Sequence, residues 1–204
     1  MLYTRKGDNG TTKTFGCDQR ISKSSAIAEA LGSLDEINSF LGICKVRSRK
    51  EELSIPDGTP VYKIIHEIQK NLFIIQAELA GASMSIDEPK VKELESIIDS
   101  IEKELKPIKS FFISGGIELA AFFDTARTIA RRAERRVTAV SDSYSALASK
   151  DKEGRPSSAK ASEGRQEIKA STKAYLNRLS SVLYALARLT NHKFGITEES
   201  PNYK

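Results

Sequence analysis

Two segments of the chain concentrate side chains that could bind a phosphate-rich ligand. In the first, residues 4–13, basic and hydroxyl side chains surround Gly7 and Gly10. Glycines let backbone N–H groups turn toward a phosphate without a Cβ in the way, and nearby lysines and threonines supply further donors. The segment lacks the GxxxxGKS or GxxxxGKT spacing of a Walker A loop. Its composition therefore allows either a phosphate-binding loop or a solvated N-terminus.

The second segment places a row of arginines on one face of a predicted helix. Arg127, Arg131, Glu134 and Arg135 follow the spacing i, i+4, i+7 and i+8. Residues at these spacings share one side of a helix, here over about 12 Å, which is long enough to line a polyphosphate. The row adjoins the apolar face, which favours a cleft or a subunit interface. A solvated arginine face neutralised by Glu134 is the alternative.

Two polar residues beside predicted core positions complete the candidate set. Asp35 follows the apolar Leu34, and an ionised carboxylate at a core boundary is stabilised by a cation, for which an arginine of the fourth helix is the candidate. Asn177 and Arg178 lie between apolar leucines, although Asn has low helix propensity. They could bring an amide to the same cleft. An exposed Asp and a surface Asn are the alternatives.

The composition indicates a single globular domain over residues 1–204. Hydrophobic residues make up 39% and charged residues 29% of the chain, and no apolar run approaches the roughly 20 residues that span a bilayer. Residues 1–13 lack the apolar stretch of a secretory signal, so we expect a cytoplasmic protein without membrane contact. Two His and two Cys are too few for a disulfide framework or a His-rich metal site.

The net charge of +5 is concentrated in two places. Residues 1–23 hold five basic and two acidic residues, and residues 127–136 hold five arginines and one glutamate. The remainder of the chain is therefore net negative. Localised positive charge favours a small anionic ligand, whereas a nucleic-acid-binding protein would be basic over a broader surface.

Apolar residues at three- and four-residue spacing predict five helices. We expect them from Ser25 to about Arg47, from Pro60 to about Gly81 after a Thr59 cap, from Glu88 to Lys106, from just after Gly116, and from about Lys173 to Asn191. No convincing strand is found, so an all-α five-helix bundle is favoured, with residues 3–23 as a loop. Residues 141–172 are rich in Ser, Ala, Lys, Glu and Gly, which predicts a mobile loop or frayed helix ends.

Four motifs occur in order along the chain. They are TRKGDNGTT in the N-terminal segment, LGSLDEINSFLG in the first helix, FFISGG leading into ARTIARRAERR, and YLNRLSSVLYALAR in the last helix. Together they closely resemble the ATP:cob(I)alamin adenosyltransferases of the propanediol-utilisation type. Each motif is weak alone, but their coincidence is specific. The resemblance implies a homotrimer of five-helix bundles that binds ATP and a corrinoid at each subunit interface.

The resemblance also implies the residues of the site. The ATP contacts would be Thr4, Arg5, Lys6, Gly7, Thr12, Lys23, Arg131, Arg132, Glu134, Arg135 and Asn177. Asp35 and Arg127 match a pair that forms a salt bridge across subunits near the active site. Phe111 matches the aromatic residue that packs below the corrinoid. Residues 1–23 would then be a nucleotide-binding loop, and Arg131, Asp35, Arg127 and Phe111 would carry the catalytic roles.

In the implied reaction, cob(I)alamin attacks C5′ of ATP, forming adenosylcobalamin and releasing triphosphate. Co(I) is a strong nucleophile, so no general base is needed, which agrees with the scarcity of histidines. Basic donors, together with Mg²⁺ held mainly by the ATP phosphates, would stabilise the leaving triphosphate. Phe111 would exclude an axial ligand from cob(II)alamin and ease its reduction. An external cob(II)alamin reductase would supply the electron.

The sequence departs from the family pattern in three places. Ser114 stands where a proline is common, so we expect a less rigid connector around Phe111. Residues 24–28 replace a more polar segment, which leaves the alignment of Lys23 open. The chain is longer than typical members between Arg135 and Asn177, and we expect the extra residues, within 141–172, to point away from the site.

Two other functions stay open at this stage. One is a non-catalytic sensor or carrier that binds ATP or a corrinoid. The other is a basic helical module that binds nucleic acid, but the confinement of the positive charge to two segments and the absence of aromatics between the arginines argue against it. We therefore expect no nucleic-acid partner.

Overall fold

Five α-helices and one small sheet make up the part of the chain that the computed structural model describes, which is residues 3–13, 20–108, 110, 112–152 and 167–202, with backbone only for 144–152. The elements are β1 Thr11–Lys13, β2 Arg20–Ser22, α1 Ala26–Lys50, α2 Val61–Leu79, α3 Glu88–Glu104, α4 Glu118–Lys152 and α5 Ala170–Lys193. The prediction of five helices is confirmed. None of these helices is long and apolar enough to cross a membrane.

α4 is the central helix of the bundle. It packs against α1 on one side and α5 on the other, while α2 covers α1 and α3 covers α5. The α4 core positions Ala126, Ala130 and Ala133 are fully buried, and their small side chains allow neighbouring backbones to approach closely. Arg127, Arg131 and Glu134 directly follow these three alanines, so helix packing fixes the direction of their side chains.

Local capping sets the helix starts. The Ser25 hydroxyl accepts the Ala28 N–H at 3.4 Å to begin α1, as an N-cap serine does. The prediction of Thr59 as the cap of α2 is wrong by one residue, and Pro60 takes the N-cap position without a side-chain bond. The reason is a tight turn, in which the Thr59 N–H donates to Asp57 Oδ1 at 2.8 Å and the Thr59 carbonyl accepts the Ile55 N–H at 3.0 Å.

The prediction that residues 3–23 form only a loop is wrong. β1 and β2 pair antiparallel, with Thr11 opposite Ser22 and Lys13 opposite Arg20. Three-residue strands are too short to show an alternating apolar pattern, so periodicity could not detect them. Residues 14–19, between the strands, lie outside the described residues.

The expectation for residues 141–172 is corrected at both ends. α4 continues to Lys152, and α5 begins at Ala170, directly after the buried Ile168. The start of α5 is held by Glu78 of α2, whose carboxylate accepts the Lys169 N–H at 2.8 Å and the Thr172 hydroxyl at 2.5 Å. A cap from a distant helix leaves no local sequence signal. Residues 153–166 lie outside the described residues, so a mobile loop there stays a prediction.

Candidate active site

Helix geometry divides the α4 arginines into two rows. Arg132 pairs with Glu36 of α1, and Arg136 pairs with Glu29 of α1 at 3.1 Å. Successive helical residues differ in direction by about 100°, so Arg131 instead faces the side of α5. The structure therefore places Arg132 apart from the other predicted ATP contacts on α4.

Arg131 and Arg135 form the second row of arginines, on the α5 side of α4. A polar cavity of about 340 Å³ lies beside them. It is lined by Arg131, Glu134, Arg135, Thr138, Ala139, Asp142 and Asn177. The Asn177 Nδ2 donates to Glu134 Oε1 at 3.0 Å, while its Oδ1 accepts from Arg178 at 2.7 Å. The structure thus places Asn177 at the arginine face, and four residues predicted as ATP contacts line one cavity.

A second cavity of about 420 Å³ lies between α3, α4, α5 and the connector that precedes α4. Its lining includes Arg127, Arg131 and Tyr184 at one side, and Leu105, Ile108 and Phe112 at the other. Arg131 lines both cavities, so the two ligand spaces adjoin. A ligand here would meet apolar surface and two guanidinium groups.

Tyr184, which lines this cavity, lies close to two arginines. The guanidinium carbon of Arg127 lies 5.9 Å from the Tyr184 ring centre, and that of Arg188 lies 5.1 Å from it, both within cation–π range. Burial raises the pKa of the Tyr184 phenol. The phenol therefore stays protonated at neutral pH and can donate a hydrogen bond.

The pairing of Asp35 differs from the first expectation. No α4 arginine pairs with Asp35 within the described chain; the neighbouring Glu36 takes Arg132 instead. Asp35 is exposed on α1. Across the described parts of the structure, the buried Nε of Arg127 likewise has no hydrogen-bond partner. Asp35 and Arg127, which the resemblance pairs across subunits, therefore do not pair with each other within the described chain.

The N-terminal segment folds back on itself beside β2. Arg5 has φ of 57° and Gly10 of 76°, and Gly7 accepts the Gly10 N–H at 3.2 Å. A Cβ at Gly7 would lie 3.1 Å from Nζ of Lys23, so glycine permits the lysine to lie over the turn. Thr4, Arg5 and Lys6 are exposed. These predicted ATP contacts therefore form one basic turn, with Thr12 in the adjoining strand β1.

Arg20 shapes this turn, although no motif or spacing in the sequence singles it out. Its Nε donates to the Thr11 hydroxyl at 2.7 Å, and its Nη2 donates to the Thr11 carbonyl at 2.8 Å and to the Lys6 carbonyl. These bonds depend on the pairing of β1 with β2, which periodicity did not reveal.

The two halves of the predicted site lie apart within one chain. In the part of the chain that the structure describes, β1 and β2 contact chiefly each other, whereas α4 packs against α1 and α5. Neither cavity on α4 is lined by a residue of the N-terminal turn. Phe111 lies outside the described residues, although its neighbour Phe112 lines the larger cavity. Within the described segments, no group of three or more His, Cys, Asp or Glu side chains could hold a metal ion.

Comparison with known proteins agrees with the motifs. A family model described as cobalamin adenosyltransferase matches residues 2–190. The corrinoid adenosyltransferase of Bacillus subtilis is 34% identical, covering 96% of this chain and 89% of the relative. A corrinoid adenosyltransferase of Citrobacter freundii is 32% identical, covering 92% and 93%. The chain spans only half the length of the Citrobacter freundii PduO protein, to which it is 33% identical.

A solved structure shows the same architecture. It is a phenylalanine-to-histidine variant of the PduO-type ATP:corrinoid adenosyltransferase from Lactobacillus reuteri, complexed with cobalamin and ATP. The TM-score is 0.76 at 26% identity, covering 100% of this chain and 97% of the other. Because the family match runs from the N-terminal turn almost to the end of α5, this chain belongs to the cobalamin adenosyltransferase family.

Proposed function

We propose that the protein transfers the 5′-deoxyadenosyl group of ATP to the cobalt of cob(I)alamin, forming adenosylcobalamin and releasing triphosphate. The observation that carries the proposal is the position of Arg131, which lines both the polar cavity and the partly apolar one. A polyphosphate in the first cavity and a corrinoid in the second would meet at this residue. That is the arrangement an alkyl transfer between them requires.

The polar cavity suits the leaving group. Triphosphate gains negative charge as its bond to C5′ breaks, and preorganised donors lower the barrier of such a step. Arg131 and Arg135 supply these donors, and Asn177 fixes the Glu134 carboxylate beside them. Bound Mg²⁺ would neutralise further phosphate charge. The described residues offer it no three-ligand site, so we propose that it is held mainly by the phosphates.

The larger cavity suits part of a corrinoid. Leu105, Ile108 and Phe112 offer apolar surface, while Arg127 and Tyr184 offer donors toward α5. In the reaction, the Co(I) electron pair forms the bond to C5′ and the C5′–O bond breaks, so the triphosphate takes both electrons. No proton moves, and the protein therefore acts by orientation and charge. Phe111, next to this cavity in sequence, remains our candidate for excluding an axial ligand.

We propose that a homotrimer completes each site, as the resemblance implies. The basic turn and the α4 row are separate within one chain, and Asp35 and Arg127 form no ion pair in the described chain. A neighbouring copy could supply the missing half, with Asp35 of one copy facing Arg127 of the next. Closed cyclic symmetry would repeat the site at each interface.

The electron for cobalt is proposed to come from an external reductase in the cytoplasm. Cys44 is buried, and burial raises the pKa of its thiol to about 12. A redox-active cysteine needs an accessible thiolate. Cys44 is therefore unsuited to deliver electrons itself.

A spectral assay tests the proposal directly. Chemically reduced cob(I)alamin is mixed with ATP and Mg²⁺, and formation of the Co–C bond is followed by absorbance. We expect turnover by the wild type and a loss of kcat on the order of 100-fold in Arg131→Ala, the usual effect of removing one such donor. Arg136→Ala, on the α1 side of the same helix, is the matched control.

Two results would contradict this function. Binding of ATP and cobalamin without Co–C product would indicate a sensor or carrier. Equal rates for Arg131→Ala and Arg136→Ala would remove Arg131 from the site.

A further inference from the structure

A buried ionic cluster adjoins the larger cavity, which one of its members, Asp124, helps to line. Arg188 of α5 pairs with Asp124 of α4 at 2.7 Å and with Glu198 of the C-terminal segment. The side chains of Arg188 and Asp124 are only 2% and 5% exposed. Asn191, also buried, donates to Glu198 at 2.6 Å. We call these four residues the Arg188 cluster.

The Arg188 cluster holds the connector, residues 112–117, from both sides. The Asp124 carboxylate accepts the Gly115 N–H at 3.3 Å. Asn191 donates to the Gly115 carbonyl at 2.9 Å and accepts the Ile117 N–H at 3.3 Å. At Gly116, where φ is +96°, a Cβ would lie 2.2 Å from Asn191 Oδ1. The glycine thus permits this close approach.

The C-terminal segment lies along the same connector. The Ile113 N–H donates to the Glu199 carbonyl at 2.8 Å, and the hydroxyls of Ser110 and Ser200 are 2.7 Å apart. The Arg188 guanidinium lies 5.7 Å from the centre of the Phe112 ring, which lines the cavity. The cluster therefore reaches the cavity both through Asp124, which lines it, and through the Phe112 ring.

Stability alone is a weak reason for this arrangement. Removing an arginine and two carboxylates from water costs much of what their attraction returns, and apolar side chains of similar volume often stabilise a core as well. The connector contains two adjacent glycines and no proline, so its covalent structure does not fix its shape. The connector's shape is instead fixed by hydrogen bonds from the cluster.

We propose that Arg188, Asp124 and Glu198 are positioning residues, which hold the connector in the shape that seats the corrinoid. This inference rests on the proposed function. Asp124 acts through Gly115 and Arg188 through Phe112. Glu198 acts through Asn191, which holds Gly115 and Ile117. Loss of these positioning residues should therefore alter corrinoid use and leave ATP binding unchanged.

Glu198→Gln tests this assignment, because it removes one charge at the end of the cluster while preserving shape. We expect kcat/KM for cob(I)alamin to fall on the order of tenfold or more, because small misplacements of reacting groups lower the rate strongly. The KM for ATP should stay within about twofold of the wild-type value. Glu199→Gln is the matched control, since its side chain is exposed and only its backbone carbonyl holds the connector.

Gly116→Ala is the second variant, because it displaces the same connector from Asn191 without changing a charge. It should produce the same selective loss, and a thermal unfolding measurement would show whether either variant is folded. Equal behaviour of Glu198→Gln and Glu199→Gln would overturn the assignment, as would losses that fall equally on ATP and corrinoid. If the wild type forms no Co–C bond, the proposed function fails instead, so the two failures are distinguishable.

Discussion

Single side chains decide which ligand each cavity can hold. Asn177 is an example, since its amide joins Glu134 to Arg178 and so sets the charge pattern of the polar cavity. The sequence predicted its location because an Asn between leucines in a helix requires a local reason. The sequence could not predict that Glu36, and not Asp35, forms the ion pair with Arg132. The two acidic residues are adjacent on α1, and only the directions of their side chains decide which one pairs.

Replacing Asn177 tests the polar cavity at this scale. Asn177→Ala releases Glu134 beside Arg131 and Arg135, so we expect the KM for ATP to rise by about tenfold, which corresponds to the lower end of the ~1.5–3 kcal/mol contributed by hydrogen bonds to charged groups. Steady-state kinetics with varied ATP measures this. Thr125→Ala, an exposed change on α4, is the control. An unchanged KM for ATP would separate Asn177 from the nucleotide.

Cys44 provides a test of pH dependence. Its folded pKa of about 12 lies above the ordinary value of 9.0, so its contribution to stability is complete below pH 9 and is lost as the pH rises toward 12. By pH 11 the resulting loss of unfolding free energy is about 2 to 3 kcal/mol. Denaturant unfolding of wild type and Cys44→Ala at pH 8 and pH 11 should show a larger fall for the wild type. Equal falls would contradict the burial of this thiol.

Secondary-structure elements determine how these residues are presented. Helical periodicity predicted all five helices, because each buries an apolar stripe. It missed the β1–β2 hairpin, whose strands have three residues each, and it missed the true start of α5. Both depend on bonds between residues far apart in sequence, such as those of Arg20 and Glu78.

Arg20 tests the role of the hairpin. Arg20→Ala removes the donors that hold the carbonyls of Lys6 and Thr11, so the basic turn should lose its fixed shape. We expect the KM for ATP to rise by on the order of tenfold, with little change in the melting temperature. Arg49→Ala, which lies over Tyr62 of α2, is the control. A fall in melting temperature with unchanged ATP kinetics would assign Arg20 a purely structural role.

Glu78 tests the cap of α5. Glu78→Gln weakens the acceptor for Lys169 and Thr172 at a helix N-terminus, where a negative charge is favourable. We expect the free energy of unfolding to fall by about 1 to 3 kcal/mol. Denaturant titration measures it, with the exposed Glu93→Gln as control. No difference between the two variants would show that α5 starts without this cap.

At the scale of the whole molecule, the predicted ATP contacts form two groups that share no cavity among the described residues. The basic turn and Lys23 form one half, and the α4 row with Asn177 forms the other. Motif order in the sequence predicted both halves. The resemblance implied a site at each subunit interface, but periodicity alone could not predict the separation, because it depends on how α1 and α5 cover α4.

Complementation between defective copies tests this account most directly. Lys23→Ala and Arg131→Ala chains, each inactive alone, are co-expressed with different tags, co-purified as mixed oligomers and assayed for Co–C bond formation. If every site combines the turn of one copy with the α4 row of the next, one of the three sites in each mixed trimer is intact, so the co-purified mixed trimers regain about one third of wild-type activity. Mixed oligomers that remain as inactive as either parent would contradict it.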